Sequence, residues 1–159
     1  MRAALNAGLI LSIGLCSVAV AQPVQKISTC FEEYLAALVQ SQLEDGIAHC
    51  DKVIDDKTTP PQRRGEALAQ RGLMYARRWA VVAGPGFAIQ GIRDITDSLV
   101  LHTPPVARRH QLLTIRAQLY VATGQTKLGW NDYTTILNED PNNSVAQNAR
   151  QRLGPQEGL

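Results

Sequence analysis

Gly129-Trp130-Asn131-Asp132-Tyr133-Thr134-Thr135-Ile136-Leu137 decides the fold, because its pattern occurs twice more without gaps. The other copies are Gly91-Ile92-Arg93-Asp94-Ile95-Thr96-Asp97-Ser98-Leu99 and Gly46-Ile47-Ala48-His49-Cys50-Asp51-Lys52-Val53-Ile54. Each opens with glycine and an apolar residue, then carries an apolar residue or cysteine four and eight positions after the glycine. That is helical spacing, with the glycine on the same face as the later apolar side chains. The starts lie 45 and 38 residues apart, a period that fits tandem helix pairs.

Working outward, each copy is preceded by another amphipathic stretch. The second and third of these begin with Thr59-Pro60-Pro61 and Thr103-Pro104-Pro105. Threonine is expected to cap the open N–H groups, and proline at the first helical position loses no bond. Thr29 with Glu32, and Ser41 with Glu44, have capping-box spacing at the starts of the first pair's helices. Asn143-Ser144 is expected to start a last helix that runs to Leu153 and stops at Gly154-Pro155. No alternation of period two competes, so the expected class is all-α.

The third unit resembles the tetratricopeptide repeat family through Leu113, Ala117, Tyr120, Gly124, Gly129, Tyr133 and Pro141. The second matches through Leu68, Gly72, Tyr75, Gly91 and Ile95, and the first mainly through Leu43, Gly46 and Ile47. The resemblance implies a right-handed superhelix of three helix hairpins, at about 28–57, 60–102 and 104–143, closed by a capping helix at 144–153. It is specific for fold and unspecific for function. Where two helices cross closely both need small residues, here Ala117 facing Gly129 and Gly72 facing Gly91.

The chain's first residues point to export. Met1-Arg2, an apolar run from Leu5 to Val18 and the small residues Ala19-Val20-Ala21 have the order of a signal peptide over 1–21. The apolar run is shorter than the ~20 residues of a membrane span. Cys16 raises lipidation as an alternative, against which stands the bulky Leu15 before it. The helical domain is expected over 22–154, with 155–159 as a tail. Losing Arg2 lowers the formal net charge from +2 to +1, which gives no electrostatic argument for nucleic acid or an anionic membrane surface.

Two cysteines, Cys30 and Cys50, remain after the signal. In an antiparallel hairpin, residues at equal height have position numbers with a constant sum. Tyr34 with Gly46 and Cys30 with Cys50 share one sum, so the cysteines face each other and a disulfide is expected in an oxidising compartment. A metal site is not expected, since only His49 lies nearby and on another face of its helix.

Function has two candidate surfaces. From Gly72 to Gly91 is 19 residues, whereas Ala117 to Gly129 is 12, so the second hairpin carries seven extra residues within Arg77-Arg78-Trp79-Ala80-Val81-Val82-Ala83-Gly84-Pro85-Gly86-Phe87. Gly84-Pro85-Gly86 reads as the turn. A lengthened tip would present Arg77, Arg78, Trp79, Val81, Val82 and Phe87 to a partner, or pack those apolar groups on each other. The resemblance also implies a concave groove lined by first helices, with Glu66, Ala69, Gln70, Leu73, Arg77, Gln111, Thr114, Gln118 and Val121 as candidates for holding a peptide. The lysine–asparagine cluster of chaperone-binding members is missing.

Catalysis finds no support in the sequence. His49, His102 and His110 lack the spacing of a metal pair, Asp55-Asp56 and Glu139-Asp140 fall at helix ends, and no phosphate loop or nucleophile elbow occurs. The expectation is a non-catalytic adaptor, scaffold or assembly factor of the bacterial envelope, most simply periplasmic, that binds a protein or peptide and no cofactor. A docking subunit of an envelope enzyme or transporter complex is the alternative, and an enzyme of unrecognised type a third.

Overall fold

The computed structural model describes residues 43–155. They form six α-helices: α1 Leu43–Asp55, α2 Pro61–Val82, α3 Pro85–Leu101, α4 Val106–Ala122, α5 Thr126–Glu139 and α6 Ser144–Leu153. Each helix packs on the next, most extensively α2 on α3 and α4 on α5, and α2 also packs on α4. The described residues contain no strand. The signal segment, the first hairpin's first helix, Cys16, Cys30 and the end of the tail lie outside the described residues.

Small residues set the helix approach. A β-carbon on Gly129 would lie 2.8 Å from the Ala117 carbonyl oxygen, and one on Gly91 would lie 3.1 Å from that of Gly72. Backbone therefore meets backbone at the expected crossings, and Ala117 and Gly129 do face each other. Around them lie three apolar clusters. Leu43, Ile47, Cys50, Ala67 and Met74 form the first. Ala69, Leu73, Ala88, Ile95, Leu112 and Leu119 form the second. Leu113, Ala117, Tyr133, Ile136, Ala146 and Ala149 form the third. Tyr133 is core, as its helical spacing implied.

The helix ends differ from expectation in two places. Pro60 and Pro105, not the threonines before them, occupy the N-cap positions of α2 and α4, and neither cap makes a side-chain hydrogen bond. A second proline forces the residue before it into extended backbone, which moves the helix start past the threonine. The turn between α2 and α3 is Ala83-Gly84, with Pro85 and Gly86 already helical. Ala83 takes the left-handed conformation, φ 52°, and donates its N–H to the Trp79 carbonyl at 2.7 Å. The extra residues of the second pair are thus helical. At the other end the sequence reading holds: Asn143 caps α6, its Oδ1 accepting from the Ala146 N–H at 3.1 Å, and Gly154 follows Leu153 at φ 68°.

Candidate functional site

A cleft of about 580 Å³ opens where the first half of α2 meets the link from α3 to α4. Its walls are Pro60, Arg63, Glu66, Ala67, Ala69 and Gln70 on one side and His102 to Pro105 with Arg108 on the other, with Val53 of α1 at the edge. Gly65 makes this meeting close, since a β-carbon there would collide with the His102 ring. The ring is held by Nδ1, 2.9 Å from the Ser98 carbonyl oxygen. A carbonyl only accepts, so Nδ1 donates.

Gln70 is only 6% exposed, and its buried Oε1 has no hydrogen-bond partner. A buried acceptor without a donor costs about 1–3 kcal/mol. Arg63 and Glu66 are exposed, one helical turn apart on the face that carries Gln70. Arg108 donates to Gln111 Oε1 at 2.6 Å across the outer edge of α4. The cleft thus combines the exposed Arg63 and Glu66 with apolar walls that include three pyrrolidine rings.

The groove candidates divide. Glu66, Ala69 and Gln70 line the cleft. Leu73 belongs to the second apolar cluster and offers no surface, so its place among groove residues is corrected. Gln111 and Gln118 are exposed on α4, and Thr114 and Val121 are half-buried there. Arg63, His102, Pro60, Pro104, Pro105 and Arg108 were not foreseen. The prolines carry a sequence signal in the repeated Thr-Pro-Pro, whereas Arg63, His102 and Arg108 carry none.

The tip also divides. Phe87 stacks on Tyr75 with ring centroids 6.4 Å apart, and the Arg78 guanidinium lies 4.5 Å from the Phe87 centroid. Arg78 also pairs with Glu44 of α1. Trp79 packs against the second apolar cluster. These side chains hold the tip together. Val81, Val82 and Ile89 remain more than half exposed, at 56%, 58% and 59%, and Arg77 is exposed beside them.

Two ion pairs occupy equivalent places in successive helix pairs. Arg71, just before Gly72, forms a bidentate pair with Asp94 at 2.7 and 2.8 Å. Arg116, just before Ala117, does the same with Asp132 at 2.9 and 2.6 Å. Each aspartate stands three residues after its helix's small-residue glycine. Each arginine also reaches back to the preceding helix pair: Arg71 to Asp51 at 2.7 Å and Arg116 to Thr96 Oγ1 at 3.0 Å. Asp51 and Thr96 both stand five residues after their glycines. Hydrogen bonding to Asp94 raises the pKa of Arg71. Burial opposes the charge on Arg116, and the bonds and attraction of Asp132 overcome it, so its pKa also rises. Both arginines stay charged at any ordinary pH.

Among the described residues no three histidine, cysteine or acidic groups are gathered as metal ligands. None of the described helices is long and apolar enough to cross a membrane. Comparison with protein-family models, curated proteins and solved structures finds no match.

Proposed function

We propose that the chain is an exported tetratricopeptide-type repeat protein that acts by non-catalytic protein–protein interaction, as adaptor, scaffold or assembly factor in the bacterial envelope. The overhanging tip carries this reading. Ten residues of α2 follow Gly72, whereas five residues of α4 follow Ala117, a difference of roughly 7–8 Å of helix. The overhang is braced by its own aromatic contacts and still leaves Val81, Val82 and Ile89 facing outward. Clustered exposed aliphatic groups beside an arginine suit a protein partner. The repeated arginine–aspartate pairs support the tandem-repeat part of the reading, and the signal-like segment supports export to the periplasm. A Cys30–Cys50 disulfide would staple the first hairpin, with Cys50 fully buried at its core end.

A photo-crosslinking residue at position 82 tests the reading in cells. The expected result is one discrete adduct, lost on Val81→Ser with Ile89→Ser while helicity is unchanged. Equal labelling from position 82 and from the remote exposed position 138 would remove the tip from consideration. Such an adduct with fixed stoichiometry identifies the docking-subunit form of the same function.

A further inference from the structure

We infer that the outer face of α3 is a homodimer interface, on which α3 of a second copy of this chain lies antiparallel across a two-fold axis. The inference does not rest on the tip: Val81 and Val82 lie outside the contact, and Ile89 alone belongs to both surfaces.

The face runs along one side of the helix. Ile89, Gln90, Arg93, Asp97, Val100 and Leu101 are all exposed, Val100 most of all at 80%. Spacings of three and four residues place them in a single stripe. Aliphatic groups stand at both ends of the stripe and opposite charges in its middle. Arg93 and Asp97 are one turn apart, yet neither forms a hydrogen bond or ion pair with another described residue. With the cation nearer the N-terminus, their order is the weaker one for pairing within a helix.

Self-complementarity selects the occupant. Antiparallel helices related by a two-fold axis meet at positions whose numbers have a constant sum. One sum sets Arg93 against the partner's Asp97, Gln90 against the partner's Val100 and Ile89 against the partner's Leu101. The axis repeats each contact, so two charged pairs form together at the centre with aliphatic groups outside them. A parallel arrangement would instead set Arg93 against the partner's Arg93. The groove beside α3 fits the same register. It encloses about 640 Å³ between α3, Ile54 of α1, and Leu68 and Tyr75 of α2. Its Tyr75–Gln90 end would receive the partner's Val100, and its Ile54–Leu101 end the partner's Ile89. Two-fold dimers are the commonest homo-oligomers and need one such self-complementary patch. A single helix face buries less than the roughly 1,600 Å² of a standard interface, so the dimer is a weak one.

Sedimentation equilibrium of the purified full chain, at concentrations up to about 1 mM, reads the assembly. A monomer–dimer equilibrium is expected within that range. Arg93→Asp and Asp97→Arg each set like charges against one another at both central positions, and each should weaken the dimer at least about tenfold. Mixed in equal amounts, the two variants should pair with each other about as well as the parent pairs with itself, because opposite charges again face each other across the axis. Val100→Ser removes two apolar contacts per dimer and should also weaken it about tenfold. All three residues are exposed, so the variants keep the parent's fold, which circular dichroism checks. A single-chain mass at every concentration overturns the inference. So does a dimer that survives both charge reversals, or a mixture of the two that fails to restore it. A dimer lost on Val81→Ser but kept in the α3 variants places the contact at the tips and overturns it equally.

Discussion

Removing Asp94 should cost far more than removing Asp51, although both carboxylates bind the same arginine at the same 2.7 Å. Burial makes the difference. The Asp94 side chain is 5% exposed and that of Asp51 44%, with Arg71 at 19% between them. Breaking a buried pair from one side strands a charge and costs about 3–5 kcal/mol, whereas exposed pairs are worth about 0–1 kcal/mol. Arg71 keeps Asp51 and some access to water, which places Asp94→Ala at the lower end, about 3 kcal/mol. Asp51→Ala should cost under about 1 kcal/mol. At about 3–4 °C per kcal/mol for a domain of this size, Asp94→Ala lowers Tm by about 10 °C and Asp51→Ala by a few degrees at most. Urea unfolding followed by circular dichroism gives both numbers, and unchanged slopes show that only stability moved. The double variant Arg71→Met with Asp94→Leu should recover most of the loss, because apolar groups of similar volume replace buried pairs at little cost. Equal, small losses for the two single variants would refute the view that Arg71–Asp94 is an internal structural pair. Asp132→Ala should repeat the Asp94 result through Arg116, since that carboxylate is 8% exposed.

Gly129→Ala should destabilise by about 1–3 kcal/mol, because the new β-carbon meets backbone oxygen that cannot turn away. Gly86→Ala, with nothing within 4 Å of the added carbon, should instead stabilise by about 0.4–1 kcal/mol; chemical denaturation of the two variants settles the contrast. Asn143→Ala should cost about 1 kcal/mol and accelerate hydrogen exchange at the Ala146 amide, which loses its acceptor. Glu139 has a pKa held below the usual carboxylate range by hydrogen bonds from Arg109 and then His110. Its folded pKa is depressed, so its contribution is complete above the unfolded value near 4.3 and disappears as pH falls through the folded one. Stability measured from pH 6 downward should therefore fall less steeply below about pH 4–5 in Arg109→Gln than in the parent.

Much of the architecture was written in short-range pattern. Apolar residues four and eight positions after a glycine identify α1, α3 and α5, and the small residues identify where their partners cross. Asn143 and Gly154 bound α6 because caps depend on one residue's own chemistry. The turn was misplaced by one step because Ala83, not a glycine, adopts the left-handed conformation, and prolines at 60 and 105 displaced the expected threonine caps. The arginine–aspartate pairs are hidden in the sequence for a different reason. A charged residue on a helix reads by default as solvated, and burial is set by what packs over it. The signal was nevertheless present: arginine directly before the small residue at 71 and 116, and aspartate three after the glycine at 94 and 132. The cleft had no comparable local signal, since it joins α2, the α3–α4 link and α4 across some 45 residues of chain.

The ion pairs also say where this molecule is stiff and where it is not. Within a helix pair, a bidentate, largely buried bond joins α2 to α3 and another joins α4 to α5. Between pairs, the same arginines reach only a half-exposed carboxylate, Asp51, or a single hydroxyl, Thr96. Such contacts hold weakly, so the arrangement of one pair on the next rests on the apolar clusters and on less extensive packing than that inside a pair. The cleft lies at one of these junctions, with Arg63 on α2 and Arg108 on α4. Hydrogen exchange in the protein alone should therefore be less protected along the α2–α4 contact than inside either helix pair. Equal protection over all six helices would mean that the helix pairs are not the stiff units.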